Sequence, residues 1–141
     1  MKSFIRSFEF IIVTGGYLLA PLFTHAQVQP IEVKVVVVAM FERGTIDDGN
    51  PGEFELWVQN EQLHRIFPFP MGWMDVRMNN EGVLGVVTGV GVTNATATIM
   101  ALGTDPRFDL SKAYWLVAGI AGADPHDASL ASAAWAEYVV D

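Results

Sequence analysis

Three stretches of the chain carry the apolar pattern of β-strands. Ile31 to Met40 (IEVKVVVVAM) alternates at first and then becomes a continuous β-branched run. Such a run fits a strand buried on both faces, in a sheet covered by helices. Phe41 to Glu53 (FERGTIDDGNPGE) is polar and rich in Gly, Asp and Asn, which predicts a loop. It leaves the carboxyl end of a buried strand, where open α/β sheets bind ligands. Phe54 to Pro70 is ambiguous. Leu56, Val58 and Leu63 fit either a helix or a short strand with a turn, and LHRIFPFP reads as extended. Asn79-Asn80-Glu81-Gly82 has turn chemistry and predicts a hairpin whose second strand is Val83 to Thr88. TNATATIMALGTDP then predicts a helix with Ala95, Ile99 and Leu102 on its apolar face, ending at Gly103 and Pro106. Ala113 to Pro125 (AYWLVAGIAGADP) reads as a third buried strand entering a small-residue loop, Ala118 to Asp124. The remaining DASLASAAWAEYVVD fits a loop, a short helix and a new strand. The order predicts a three-layer α/β domain, without internal repeats or low-complexity tracts.

The first 26 residues stand apart from this pattern. Lys2 and Arg6 precede an apolar run from Phe8 to Phe23, and Thr24-His25-Ala26 follows. That layout predicts a signal peptide cut after Ala26 and an exported protein, with residues 27–141 as the mature domain. Glu9, Gly15-Gly16 and Pro21 interrupt the run, so an uncleaved anchor or a start codon placed too early stand as alternatives. The run is shorter than the ~20 residues that a membrane-spanning helix requires, and no other segment approaches that length. No integral membrane span is therefore expected after cleavage. The 141 residues suit one domain, and 51% of them are hydrophobic, enough for a core. The net charge is −8, or −9 once Lys2, Arg6 and Glu9 are removed. Such acidity argues against nucleic acid and against an anionic lipid surface. The chain has no cysteine, which excludes a thiolate nucleophile, a disulfide and a Cys-based zinc site. His25, His64 and His126 are scattered and predict no metal.

The candidate chemistry lies at the predicted strand ends. In TGVGVTNATA, Gly89 and Gly91 leave the backbone open to close approach, and a helix start follows. Backbone N–H groups there favour an anion such as phosphate, with Thr88 and Thr93 adding hydroxyls. The pattern lacks the Gly-Lys-Ser/Thr of a P-loop, and Asn94 stands where G-x-G-x-x-G needs its third glycine. Tight strand-to-helix packing explains the same glycines without a ligand. AGIAGADPHD places Gly119, Gly122, Asp124, His126 and Asp127 in a second loop, which is either a turn or a wall of the same pocket. Glu42 and Arg43 follow the first strand. A carboxylate there can orient a water or accept a proton, and an arginine can hold an anion in a fork. A solvated loop pair is the plainer reading. Asp47 and Asp48 in one loop are weak grounds for a metal. Trp57, Trp73, Trp115 and Trp135 read as core rather than as ligand stackers. The chain has no G-x-S-x-G, and no histidine stands near a credible nucleophile.

Taken together, VVTGVGVTNATATIMAL and YWLVAGIAG resemble the core signature of the nucleoside phosphorylase and nucleosidase superfamily. VVVVAMFE resembles the nucleosidase start. More narrowly, MFERGTIDDGNPGEFELWVQNE and PFPMG resemble the purine nucleoside permease (NUP) family, over residues 31 to 141. The resemblance implies a phosphorylase-like α/β/α sandwich, purine nucleoside substrates and N-glycosidic bond cleavage with phosphate or water as nucleophile. It implies no cofactor beyond phosphate as a co-substrate. Glu42 matches the carboxylate that positions the attacking water, and Arg43 matches a phosphate-binding arginine more loosely. Thr88, Gly89 and Gly91 match the loop that lines the ribose and nucleophile site, with Asn94 beside them. Gly119 to Gly122 match the strand end behind the pocket. Relatives in the superfamily are oligomers, which leaves a homo-oligomer as an expectation that these residues do not themselves support.

Two departures qualify the resemblance. Its members run well beyond this length, and their base-binding acid and ribose-gripping glutamate lie in a second half that is missing here. The chain thus looks like an amino-terminal fragment. The word permease implies transport, for which these residues supply no set of spans. The leading expectation is a nucleoside-processing protein acting in nucleoside uptake and metabolism. A non-catalytic nucleoside-binding or transport component is the alternative, and a purely structural α/β domain is the plainest reading.

Overall fold

The computed structural model describes residues 29–138. The expected signal peptide at 1–26 lies outside them. The chain forms β1 (Ile31–Glu32), β2 (Val35–Ala39), α1 (Glu55–Asn60), β3 (Arg65–Phe67), β4 (Val76–Met78), β5 (Val83–Val87), α2 (Val92–Gly103), β6 (Phe108–Asp109) and β7 (Tyr114–Val117). The result is a mixed α/β fold. Its main sheet has the order β3-β4-β5-β2-β7, and β1 pairs with β6 in a separate two-stranded sheet. Strand β2 lies parallel to both β5 and β7, whereas β3, β4 and β5 run antiparallel in turn.

The long first strand expected from the sequence is two strands. At Val33 and Lys34 the chain changes partners: Val33 N–H donates to Asp109 O at 3.0 Å, and Lys34 N–H to Gly82 O at 2.8 Å. The alternating start of the run belongs to the small sheet and its continuous part to the large one. Val36 and Val38 point into one core with Leu84 and Val86, under Leu102 of α2. Ala39 and Val87 point into the other, under Phe54 and Val58 beside α1. One helix therefore packs against each face, as a strand apolar on both sides requires.

The ambiguous stretch after residue 54 resolves into both of its readings. Glu55–Asn60 is a short helix and Arg65–Phe67 an extended strand. The hairpin turn forms where expected. Asn79 Oδ1 accepts Glu81 N–H at 3.0 Å and Val83 N–H at 2.9 Å, and its amide donates to Glu61 O at 2.9 Å. Its side chain thus ties the turn to the end of α1. Helix α2 ends at Gly103 as expected. Its buried side chains are Thr98 and Leu102, with Ile99 packed at the margin of the core.

Three expectations fail. Strand β7 is not buried: Tyr114 is 81% exposed and Val117 71%. It is the outermost strand beside β2, and no element of the described residues covers it. The segment from Asp127 to residue 138 makes turns but no helix, and the strand expected at the end of the chain falls largely on residues 139–141, outside the described ones. Of the four tryptophans, only Trp57 packs against a core, while Trp73, Trp115 and Trp135 are exposed.

Gly85 in the middle of β5 lies against Phe54 and Leu63, the residues that flank α1. A Cβ at this position would meet the Phe54 ring at 2.5 Å and Leu63 Cδ1 at 2.9 Å. Overpacking of this kind costs about 1–3 kcal/mol. Gly85→Ala should therefore lower the free energy of unfolding by that amount, read in urea as a lower midpoint with an unchanged slope.

Candidate functional site

The connection after β2 leads to α1 on one face of the sheet. The connection after β5 leads to α2 on the opposite face. Adjacent parallel strands whose connections diverge in this way open a crevice at their carboxyl ends, the usual ligand position in open α/β sheets. Glu42, Arg43, Thr88, Gly89 and Gly91 all lie at this edge, and Gly119 follows the neighbouring end of β7. The expected site residues thus converge on one end of the sheet. Gly122 lies further along an exposed loop, away from the strand ends.

Two carboxylates organise this end. Glu42 Oε1 accepts the N–H of Arg43 at 2.7 Å and that of Gly52, while Oε2 accepts Phe54 N–H at 2.9 Å and that of Glu55. One side chain thereby closes the loop 43–52 and receives the leading amides of α1. Burial pushes the Glu42 carboxyl up, but the four N–H donors together outweigh it and hold its pKa below the ordinary 4.5. Glu53 bridges the strand ends themselves. Its Oε2 accepts Met40 N–H at 2.8 Å and its Oε1 accepts Ile120 N–H at 3.0 Å. It is 7% exposed. The end of β2 and the loop after β7 are joined through this residue. A Cβ at Gly119 would press on the flexible end of the Met40 side chain, which can move aside.

The loop after β5 is built differently. Thr88 is buried, and its N–H donates to Ala39 O at 2.9 Å. Its hydroxyl donates to Gly89 O at 2.9 Å, and its carbonyl accepts Thr98 Oγ1 at 3.1 Å. Thr88 thus anchors the loop to β2 and α2. Gly89 and Gly91 have φ of +78° and +92°, a region that side chains disfavour. Nothing lies within 4 Å of the position a Cβ would take at Gly91, and no side chain caps α2. Asn94 turns back to donate to Val90 O at 2.8 Å. Arg43 is exposed, with a long contact of 3.5 Å to Asn50 Oδ1. Asp48 binds the N–H groups of Thr45 and Asn50 and shapes the turn. Among the described residues no group of three acidic, His or Cys side chains could hold a metal.

Beside this edge lies a cleft of about 310 Å³, at the small end of the range for ligand pockets. Thr45 and Ile46 form one side, Phe54 and Met74 its apolar lining, and Asp75 and Arg77 its polar side. Sequence reasoning missed Glu53, Trp73, Asp75 and Arg77. Glu53 carried no local signal, since its partners are 13 and 67 residues away. Arg77 was legible only as one residue of a hairpin strand.

An open α/β sheet with glycine loops at its carboxyl edge defines a fold class and a place for a ligand rather than one activity. The comparisons narrow it: the chain belongs to the purine nucleoside permease (NUP) family, whose model matches residues 32–141. It is 39% identical over 80 residues to a probable purine nucleoside permease of Schizosaccharomyces pombe, covering 56% of this chain and 21% of that protein. It is 41% identical over 61 residues to a purine nucleoside permease of Candida albicans, covering 43% of this chain and 15% of that one. The matched stretch is thus about a fifth of the curated relatives or less. No solved structure matches the chain. Among the described residues no helix is long and apolar enough to cross a membrane.

The Glu42 geometry gives a test with a definite sign. Because its folded pKa is lowered, Glu42 contributes stability that is fully present above its unfolded pKa. That contribution is lost as the pH falls through the lowered value. Glu42→Gln places an amide NH₂ among backbone donors and should cost about 1–3 kcal/mol at neutral pH. The variant should also show a flatter fall of unfolding midpoint below about pH 4.5 than the wild type.

Proposed function

We propose that this chain forms part of a purine nucleoside-binding site, in a protein that acts in nucleoside uptake. The fold would be the amino-terminal part of a phosphorylase-like α/β/α sandwich. One observation carries the reading: the family match places this chain among purine nucleoside permeases, and its glycine loop opens at the divergence of β2 and β5. Open backbone at Gly91 and the uncapped start of α2 supply N–H groups for a sugar oxygen or an anion. The leader-like residues 1–26 add export to the proposal.

Cleavage of the N-glycosidic bond is the finer reading, with Glu42 orienting water and Arg43 or the Thr88–Gly91 loop holding phosphate. Glu42 has four backbone N–H partners, which favours its role as a loop anchor. Binding without cleavage is therefore the reading adopted.

Calorimetric titration of the full-length protein with inosine, guanosine and adenosine tests it, with uridine as the pyrimidine control and free base followed by chromatography. Saturable binding of the purine nucleosides, weaker binding of uridine and no base release is the expected result. Base release, with or without phosphate, would replace the reading with an enzymatic one. No binding of any nucleoside would remove it.

A further inference from the structure

We infer that Trp73 is the stacking surface for the purine ring, an assignment that rests on the nucleoside-binding reading. The residue lies in the loop between β3 and β4, far in sequence from the glycine loop. Even so, a Cβ at Gly89 would sit 2.7 Å from both Cδ2 and Cε3 of its indole. The ring therefore rests directly on the Gly89 backbone, at the carboxyl edge of the sheet. Gly89 serves two needs at once: it adopts φ +78° and it leaves the space that the indole fills.

What the ring does not bury is as informative. Trp73 remains 57% exposed, with Val90 at 67% and Val92 at 83% on the same loop and helix start. An indole packed against main chain and still more than half exposed offers a flat apolar surface to a ligand. It stands where the strand connections diverge. Purine rings suit such a face because stacking needs a flat π-system rather than a particular hydrogen-bond pattern.

The other tryptophans do not combine these features. Trp57 packs against the core below α1. Trp115 is on the outer strand β7, and Trp135 is in the exposed segment beyond it. A cover for Gly89 alone would need an apolar side chain of suitable size but no aromatic face. That difference separates a binding role from a packing one.

The test titrates the full-length wild-type protein and its variants Trp73→Leu and Trp73→Phe with inosine by calorimetry, with thermal unfolding measured in parallel. Alanine substitution of a base-stacking aromatic costs about 1–3 kcal/mol, roughly a 5- to 150-fold loss of affinity. Trp73→Leu should weaken inosine binding within that range while keeping the melting temperature. Trp73→Phe should recover most of the affinity. A Leu variant that binds inosine as tightly as wild type would overturn the assignment alone. A full-length wild-type protein that binds no purine nucleoside would overturn it together with the reading on which it rests.

Discussion

The carboxyl edge of this sheet depends on two carboxylates that accept main-chain N–H groups. Glu42 gathers the amides of residues 43, 52, 54 and 55. Glu53 joins Met40 to Ile120. Between them they turn a polar, glycine-rich connection into a fixed rim. A loop of this composition has a large conformational entropy to lose, and hydrophobic burial offers it little in return. Hydrogen bonds to a charged acceptor are stronger than neutral ones, which makes ionised side chains effective at this task. Both residues are acidic, in keeping with a chain of net charge −8 whose described residues contain a single ion pair, Arg107 to Asp105 at 2.6 Å.

This rim connects the strand pattern to the site. β2 is buried because α1 and α2 take opposite faces, and the two connections must therefore part at its end. Thr88 holds the second connection to Ala39 and Thr98, which leaves Gly89 and Gly91 to make the turn into α2. The open space at Gly91 and the indole on Gly89 follow from that turn. Packing and accessibility are thus set by the same few residues.

Much of the sheet was legible in the sequence. The β-branched runs at 35–39 and 83–87, the Asn79–Gly82 turn and the end of α2 all announced themselves through local chemistry. The break at Val33 was hidden, because a change of partner strand leaves no mark on the apolar run. Strand β7 was misread for a related reason: YWLV is apolar enough for a covered strand, and periodicity does not report whether a covering layer is present. The site was legible in outline, since glycines and acids at strand ends follow from topology. Glu53 and Trp73 were not, because their partners are distant in sequence. The indole reaches Gly89 only after β4 and β5 have paired.

The central claim is that the carboxyl ends of β2 and β5 form the nucleoside site. The most direct measurement is two-dimensional amide NMR of the labelled full-length protein, with and without inosine. The account predicts shift changes centred on Thr88 to Gly91 and on the Trp73 indole N–H, with the opposite end of the sheet, near Lys34 and Gly82, unmoved. Changes confined to β7 or to residues beyond Asp124, with the glycine loop silent, would contradict it.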